Sequence, residues 1–214
     1  MASPIVTMSF SEATQQRRSI RALEPKTTVP DSTIVKLAEA AVLTVPSAFD
    51  SQTTRLTVLL GNDHKRLWSL TAEVLLAKLG EERWNGGTKD RIANFANGYG
   101  TIMFWDDQLS ATAMKENAPD VFQDKVEEWV HQSNGMHQYY LWTALEALGL
   151  GVNLQHYNPL IDAVVQKTWS VPSDWKLRAQ MVFGVPKKDS APGEKSQKLP
   201  LDQKVQVFGA NEKV

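Results

Sequence analysis

The 214-residue chain has no cysteine, which excludes disulfides, thiol nucleophiles and thiolate metal sites. Redox chemistry here therefore needs a bound cofactor. Excess charge is also lacking. Lys and Arg number 23 against 24 Asp and Glu, leaving −1, so a broad footprint for nucleic acid is not expected and a local basic patch is the most the balance allows. Long hydrophobic runs are missing, since nothing approaches the roughly 18–20 apolar residues of a spanning helix. The opening MASPIVTMSFSEATQQRRS has no basic n-region followed by a long apolar core. Together these absences predict a soluble, cytoplasmic protein that binds neither nucleic acid nor membrane. Histidines are few. His131 and His137 are six apart and share a helix face poorly, while His64 and His156 lie in other segments. No HExxH, GxSxG or P-loop pattern occurs, so neither a hydrolytic metal site nor a serine triad is supported.

Apolar material is ample, at 42% of residues. A folded monomer of 23.9 kDa would expose about 9,900 Å² and bury about 70% of its unfolded surface. Segment 9–18 reads as a short helix opened by Ser9 or Ser11. A second helix follows Pro30, capped by Asp31 or Ser32, with Ile34, Leu37, Ala38, Ala41, Val42 and Val45 as one buried stripe. RLTVLL at 55–60 predicts a buried strand ending at Gly61-Asn62. Asp63 then caps a helix carrying Leu67, Trp68, Val74 and Leu75. Asn85-Gly86-Gly87 breaks it, and a short helix runs over 88–95. TIMFW at 101–105 predicts a second buried strand. The polar-faced stretch 108–132 reads as helical, split near Pro119. The segment 136–148 leaves almost no polar face, which predicts a central helix or one that another subunit covers. Gly149 and Gly151 open a sharp loop. A short helix follows near 159–166, a strand over 177–183, and a terminal strand or arm over 205–208. Helices and strands intersperse without repeats or composition shifts, which predicts one α+β domain spanning 1–214.

Four clusters carry candidate chemistry. Arg17-Arg18-Ser19 ends the first helix, and two guanidiniums beside a hydroxyl suit a phosphate monoester. Taken alone, a solvated helix terminus is the stronger account of the same residues. Pro46-Ser47-Ala48-Phe49-Asp50-Ser51-Gln52 puts short polar side chains between a helix and a strand, where they could reach a flat heterocycle or simply cap backbone groups. In the stretch 148–157, Gly149 and Gly151 permit unusual backbone, and Asn153, Gln155, His156 and Tyr157 add polar handles. His156 fits a core histidine equally well. Lys195, after Gly193-Glu194, could close over a phosphate as a point charge or be a solvated loop lysine.

These four clusters, in this order, resemble the nitroreductase-like flavoprotein family, in its bacterial and fungal branch. The match rests on Arg17-Arg18-Ser19-Ile20, on the 46–52 segment, on Trp142-Thr143-Ala144-Leu145-Glu146-Ala147-Leu148-Gly149-Leu150-Gly151, and on Asn153-Leu154-Gln155-His156-Tyr157-Asn158-Pro159. Phe183-Gly184 and Gly193-Glu194-Lys195 complete it, and the likeness runs over about 9–208. The resemblance implies a three-layer α+β sandwich, with a mostly antiparallel central sheet wrapped by helices, in an intertwined homodimer. It implies one FMN per subunit, NAD(P)H as reductant, and ping-pong reduction of small, flat, electron-poor nitroaromatics or quinones. It places Arg17, Arg18 and Ser19 about the FMN phosphate and ribityl chain, with Lys195 closing the phosphate side. Ser47, Phe49, Ser51 and Gln52 would lie near the flavin, some from the partner subunit, and Gln155 and His156 would border the ring. No side chain is expected to act as nucleophile, acid or base. A flavin-binding sensor or store, and a reductive dehalogenase or flavin-destroying enzyme, share the same scaffold.

Overall fold

The computed structural model describes residues 8–188 and 195–211. Its centre is an antiparallel sheet in the order β2-β3-β5, and β4 and the short β1 also pair with β5. The strands are β1 (Leu23–Glu24), β2 (Thr54–Leu60), β3 (Gly100–Asp107), β4 (Gly151–Gln155) and β5 (Trp175–Pro186). The helices are α1 (Phe10–Gln16), α2 (Asp31–Thr44), α3 (Gly61–Arg83), α4 (Lys89–Ala96), α5 (Gln108–Asn117), α6 (Val126–Ala147) and α7 (Asp162–Trp169).

Strand parity builds the layers. Successive side chains of β3 point to opposite faces of the sheet. Met103 and Trp105 enter a core with Leu67, Trp68 and Leu75 of α3, Phe95 of α4 and Val165 of α7. Ile102 and Phe104 enter a second core with Ile34 and Ala41 of α2 and Leu141 and Leu145 of α6. All eight β3 residues are buried. A register shift between Phe104 and Trp105 adjusts the β3–β5 pairing. The result is helix, sheet, helix, the three-layer α+β sandwich expected.

Local signals are settled in detail. Ser9 caps α1 in a full capping box with Glu12. α2 starts after Pro30 without a side-chain cap, so Asp31 and Ser32 are not its caps. Asp31 instead accepts the Tyr99 hydroxyl at 2.5 Å. Likewise Asp63 does not cap α3, which begins after Leu60; its carboxylate accepts the Trp169 indole N–H at 2.9 Å. β2 is an edge strand with mostly half-buried residues rather than a buried one. The 149–157 stretch is not simply a loop, because Val152 and Asn153 continue the sheet as buried members of β4. Val42 of the expected α2 stripe is exposed, with Val35 and Leu43 beside it. Residues 205–208 form no strand, and Val205, Val207 and Phe208 lie exposed in an arm. No helix among the described residues is long and apolar enough to cross a membrane.

Candidate functional site

Helix α6 separates two polar clusters. Gly135, Gln138, Tyr139 and Trp142, spaced three and four apart, share one face, and with Arg17, Ser19 and Leu154 they line a cleft of about 380 Å³. His137 projects about 150° away around the helix at 3.6 residues per turn. It borders a larger cavity of about 880 Å³, together with Ser47, Ser51, Gln52, Arg55 and Trp175.

The first cluster forms where the chain leaves α1 and joins β4. Ser19 makes a parallel bridge with Val152, and the Ile20 N–H donates to Val152 O at 2.8 Å. This fixes the half-buried 17–19 turn against the end of α6. There Glu146 Oε2 accepts the Arg18 backbone N–H at 2.8 Å, and Oε1 accepts the Trp142 indole N–H at 2.7 Å. The Arg17 guanidinium lies over the Trp142 ring, 4.6 Å from its centre. Lys195 Nζ donates to the carbonyls of Thr14 and Gln15 at the end of α1. Burial drives the Glu146 carboxyl up to about 7, against the opposing pull of the Arg18 N–H, the Trp142 N–H, Arg17 and Lys195. Gly193 and Glu194 lie outside the described residues.

The second cluster is shaped by unusual backbone. Phe49 (φ 54°), Asp50 (φ 50°) and Gln52 (φ 45°) all adopt left-handed conformations, each costly for a residue with a Cβ. The turn is held from both ends. Ser47 Oγ accepts the Gln52 N–H at 2.9 Å. Arg55 donates to Gln52 O at 2.5 Å and to Asp107 Oδ2 at 2.6 Å. The buried hydroxyls of Ser51, Thr53 and Thr54 have no protein partner, and Ser51 and Thr54 line the cavity. Orphaned polar atoms beside a cavity are a cost unless a ligand meets them. Phe49 stands apart from that cavity. It is 68% exposed, packs on Trp129 with ring centres 5.5 Å apart and lines a neighbouring cleft with Met114.

Of the ten expected site residues, the structure thus gathers Arg17, Arg18, Ser19 and Lys195 in one cluster and Ser47, Ser51 and Gln52 in the other. Gln155 ends β4, its amide donating to Asn153 Oδ1 at 2.8 Å, and His156 next to it is exposed. Sequence reasoning gave no role to Glu146, Trp142, Arg55 or His137. His137 Nδ1 faces the Ser133 carbonyl at 2.8 Å. A carbonyl only accepts, so Nδ1 carries the proton and Nε2 is a bare acceptor. Burial lowers the tendency of this ring to charge. A second buried network, Arg178 to Asp106 at 2.5 Å and Asn134 to Asp106 at 2.7 Å, reaches Gln138 through Asn134 Oδ1 at 2.7 Å. It was invisible because its members are 28 and 72 residues from Asp106.

The antiparallel three-layer sandwich is one that solved nitroreductases share. The nitroreductase family model covers residues 14–185, and the chain belongs to the nitroreductase family. HBN1 of Saccharomyces cerevisiae is 31% identical over 184 residues, 84% of this chain and 88% of that protein. The nitroreductase CinD of Lactococcus lactis, solved in complex with nicotinic acid, superposes with a TM-score of 0.82 at 34% identity, covering 94% of this chain and all of that one. CinD has also been solved with chloramphenicol and with 4-nitrophenol. The FMN-dependent nitroreductase NfnB of Mycobacterium smegmatis, in complex with NADPH, shares the fold with a TM-score of 0.69 at 17% identity, covering 92% of this chain and 97% of that one.

Proposed function

We propose that this protein is an FMN-dependent NAD(P)H oxidoreductase that reduces nitroaromatics or quinones, working as a homodimer with the flavin between the two copies. The observation that carries this reading is the split site. A cationic turn and a set of partnerless buried hydroxyls lie on opposite faces of α6, so one chain cannot close both around one ligand. A second copy can bring the missing half. The exposed apolar arm and the open edge of β2 give such a copy surface to bury.

The donor set fits the cofactor. Arg17, Arg18, Ser19 and Lys195 supply the charges and donors that hold a phosphate monoester. Ser47, Ser51 and Gln52 offer hydroxyl and amide groups to a polar ring edge, and Phe49 adds an exposed aromatic face in the neighbouring cleft. Gln155 and His156, at the end of β4, line neither cavity, and their part at the flavin rests on the family resemblance. Bound there, FMN supplies the relay that takes two electrons from a nicotinamide and passes them to an oxidant. The chain contributes placement, stacking surface and exclusion of water, and none of its side chains serves as nucleophile. The complexes of CinD with 4-nitrophenol and chloramphenicol, both nitrophenyl compounds, support the substrate class.

The test is direct. Protein incubated with FMN and desalted should be yellow, elute as a dimer, and oxidise NADH or NADPH when 4-nitrophenol or a benzoquinone is added. A preparation that stays colourless and elutes as one copy defeats the proposal. A yellow dimer that consumes no reductant points instead to a flavin store.

A further inference from the structure

Glu146 takes no part in the reading above, yet it sits against the proposed phosphate site. It is the sole carboxylate in the 141–148 stretch. Both of its oxygens are engaged, one by the turn it faces and one by its own helix. Oε2 accepts the Arg18 backbone N–H and Oε1 the Trp142 indole N–H, and the same indole also reaches Arg18 O at 3.3 Å. Arg17 is stacked on that indole. The charged groups that act on the carboxyl are Arg17 from the turn and Lys195 from the C-terminal segment. Its own helix adds none over 132–147 except His137, on the far face. A backbone N–H, a guanidinium and an ammonium are the partners a phosphate monoester would seek. Here a protein carboxyl already holds the N–H and lies within the field of the two cations, Arg17 stacked on its Trp142 partner and Lys195 bonded to the Thr14 and Gln15 carbonyls.

We propose that Glu146 is the internal counter-anion of the 17–19 turn, so that a phosphate-bearing ligand entering the turn shares Arg17 and Lys195 with it and binds with uptake of a proton at this carboxyl. The proposal rests on the flavin reading, because FMN is the phosphate probe. The physical reason is that two anions on shared cations cannot both ionise freely. Burial has already brought the carboxyl to about 7, so at neutral pH the proton is close to balance and the second anion tips it. When the acid is neutral, one N–H donor keeps the carbonyl oxygen and the other meets the hydroxyl oxygen, which accepts more weakly through its lone pair. Glu146 is thus a positioning residue that couples cofactor loading to pH.

The test is calorimetric titration of apo-protein with FMN and with riboflavin, in two buffers of different ionisation heat, comparing wild type with Glu146→Gln. At about pH 7.5 the wild type should take up roughly half a proton more than the variant on binding FMN, with no such difference for riboflavin. Its FMN dissociation constant should rise with pH above about 7, by up to tenfold per unit, while the variant stays flat. The phosphate's own titration is common to both proteins and cancels. If Glu146→Gln does not fold, the wild-type pH profile for FMN against riboflavin decides alone. FMN that binds more tightly than riboflavin with equal proton uptake in both proteins, or with a flat wild-type profile, overturns the Glu146 proposal and leaves the phosphate site standing. Equal affinity for the two flavins, or no binding of either, overturns both.

Discussion

The two faces of helix α6 hold polar clusters of opposite character. On one, the 17–19 turn is tied to protein at several points: the Arg18 N–H to Glu146, the Trp142 N–H to Glu146 and Arg18 O, and Arg17 over the indole. On the other, the 47–54 loop carries three left-handed residues and three buried hydroxyls without protein partners. The first cluster has stand-ins for a ligand and must give them up in part on binding. The second is strained and unsatisfied, and gains what it lacks. Binding energy should accordingly be spent on exchange at the first and collected outright at the second.

Acid titration is the coarsest way to break this contrast, and the largest effect expected. His64, on the buried face of α3 with Nδ1 at 2.8 Å from Thr101 Oγ1, is held by desolvation at about 4 instead of 6.5. Between those values the unfolded chain binds the proton and the native ring does not. Stability should therefore fall by about 3 kcal/mol as pH drops from 6.5 to 4. Glu146 works the other way. Its native carboxyl is raised from 4.5 to about 7, so the native state binds the extra proton, and this contribution is present below 4.5 and lost as pH rises through 7. Urea midpoints across this range should thus show a shallower acid loss in wild type than in Glu146→Gln. Parallel profiles would mean that the carboxyl is not held as described.

Arg18→Ala comes next. It keeps the backbone N–H bonded to Glu146, so that tie between the turn and α6 should survive. It removes a charge-assisted contact of about 1.5–3 kcal/mol, so FMN should bind roughly tenfold to a hundredfold more weakly. Equal flavin content in variant and wild type would remove Arg18 from the phosphate site.

What the sequence made legible follows the range of the interactions. Helix and strand positions carried by local periodicity came through, including the C-terminal half of α6 and the 101–105 centre of β3, although Met136 and Tyr139 of that helix are exposed in the single chain. Strand β1, of two residues, and β4, placed behind two glycines that read as a loop, depend on pairing with β5 across the fold. The Arg17, Ser51 and Lys195 regions were singled out by residue type but given expected roles only by the family resemblance, since each has an ordinary explanation by itself. Glu146 was missed because its meaning lies in Arg18, 128 residues away. The misplaced caps have a similar cause, for Asp31 and Asp63 are claimed by Tyr99 and Trp169 from distant elements.

Ser51→Ala sharpens the contrast from the other side. Deleting a buried hydroxyl without a partner should leave the free protein as stable as wild type, or more stable by up to about 1 kcal/mol. FMN affinity should fall by about 0.5–1.5 kcal/mol, a few-fold to tenfold, if the hydroxyl is met on binding. Stability and affinity would then move in opposite directions. A drop in both would show that Ser51 is already satisfied.

Asp50→Gly has the smallest expected effect. At φ 50° glycine escapes a steric cost of about 1 kcal/mol that any residue with a Cβ bears, though aspartate bears it more lightly than most. The gain is offset by the extra freedom glycine brings to the unfolded chain and by loss of the exposed 3.0 Å bond from the Gln52 amide to Asp50 Oδ1. The melting temperature should stay within about 2 °C of wild type. Flavin affinity should still drop a few-fold, because a looser turn no longer holds Ser51 and Gln52 ready and ordering them falls to the ligand. A large rise in melting temperature with unchanged affinity would show that the left-handed turn is a burden on the fold that binding does not use, and the 47–54 loop would then differ from the 17–19 turn in strain alone.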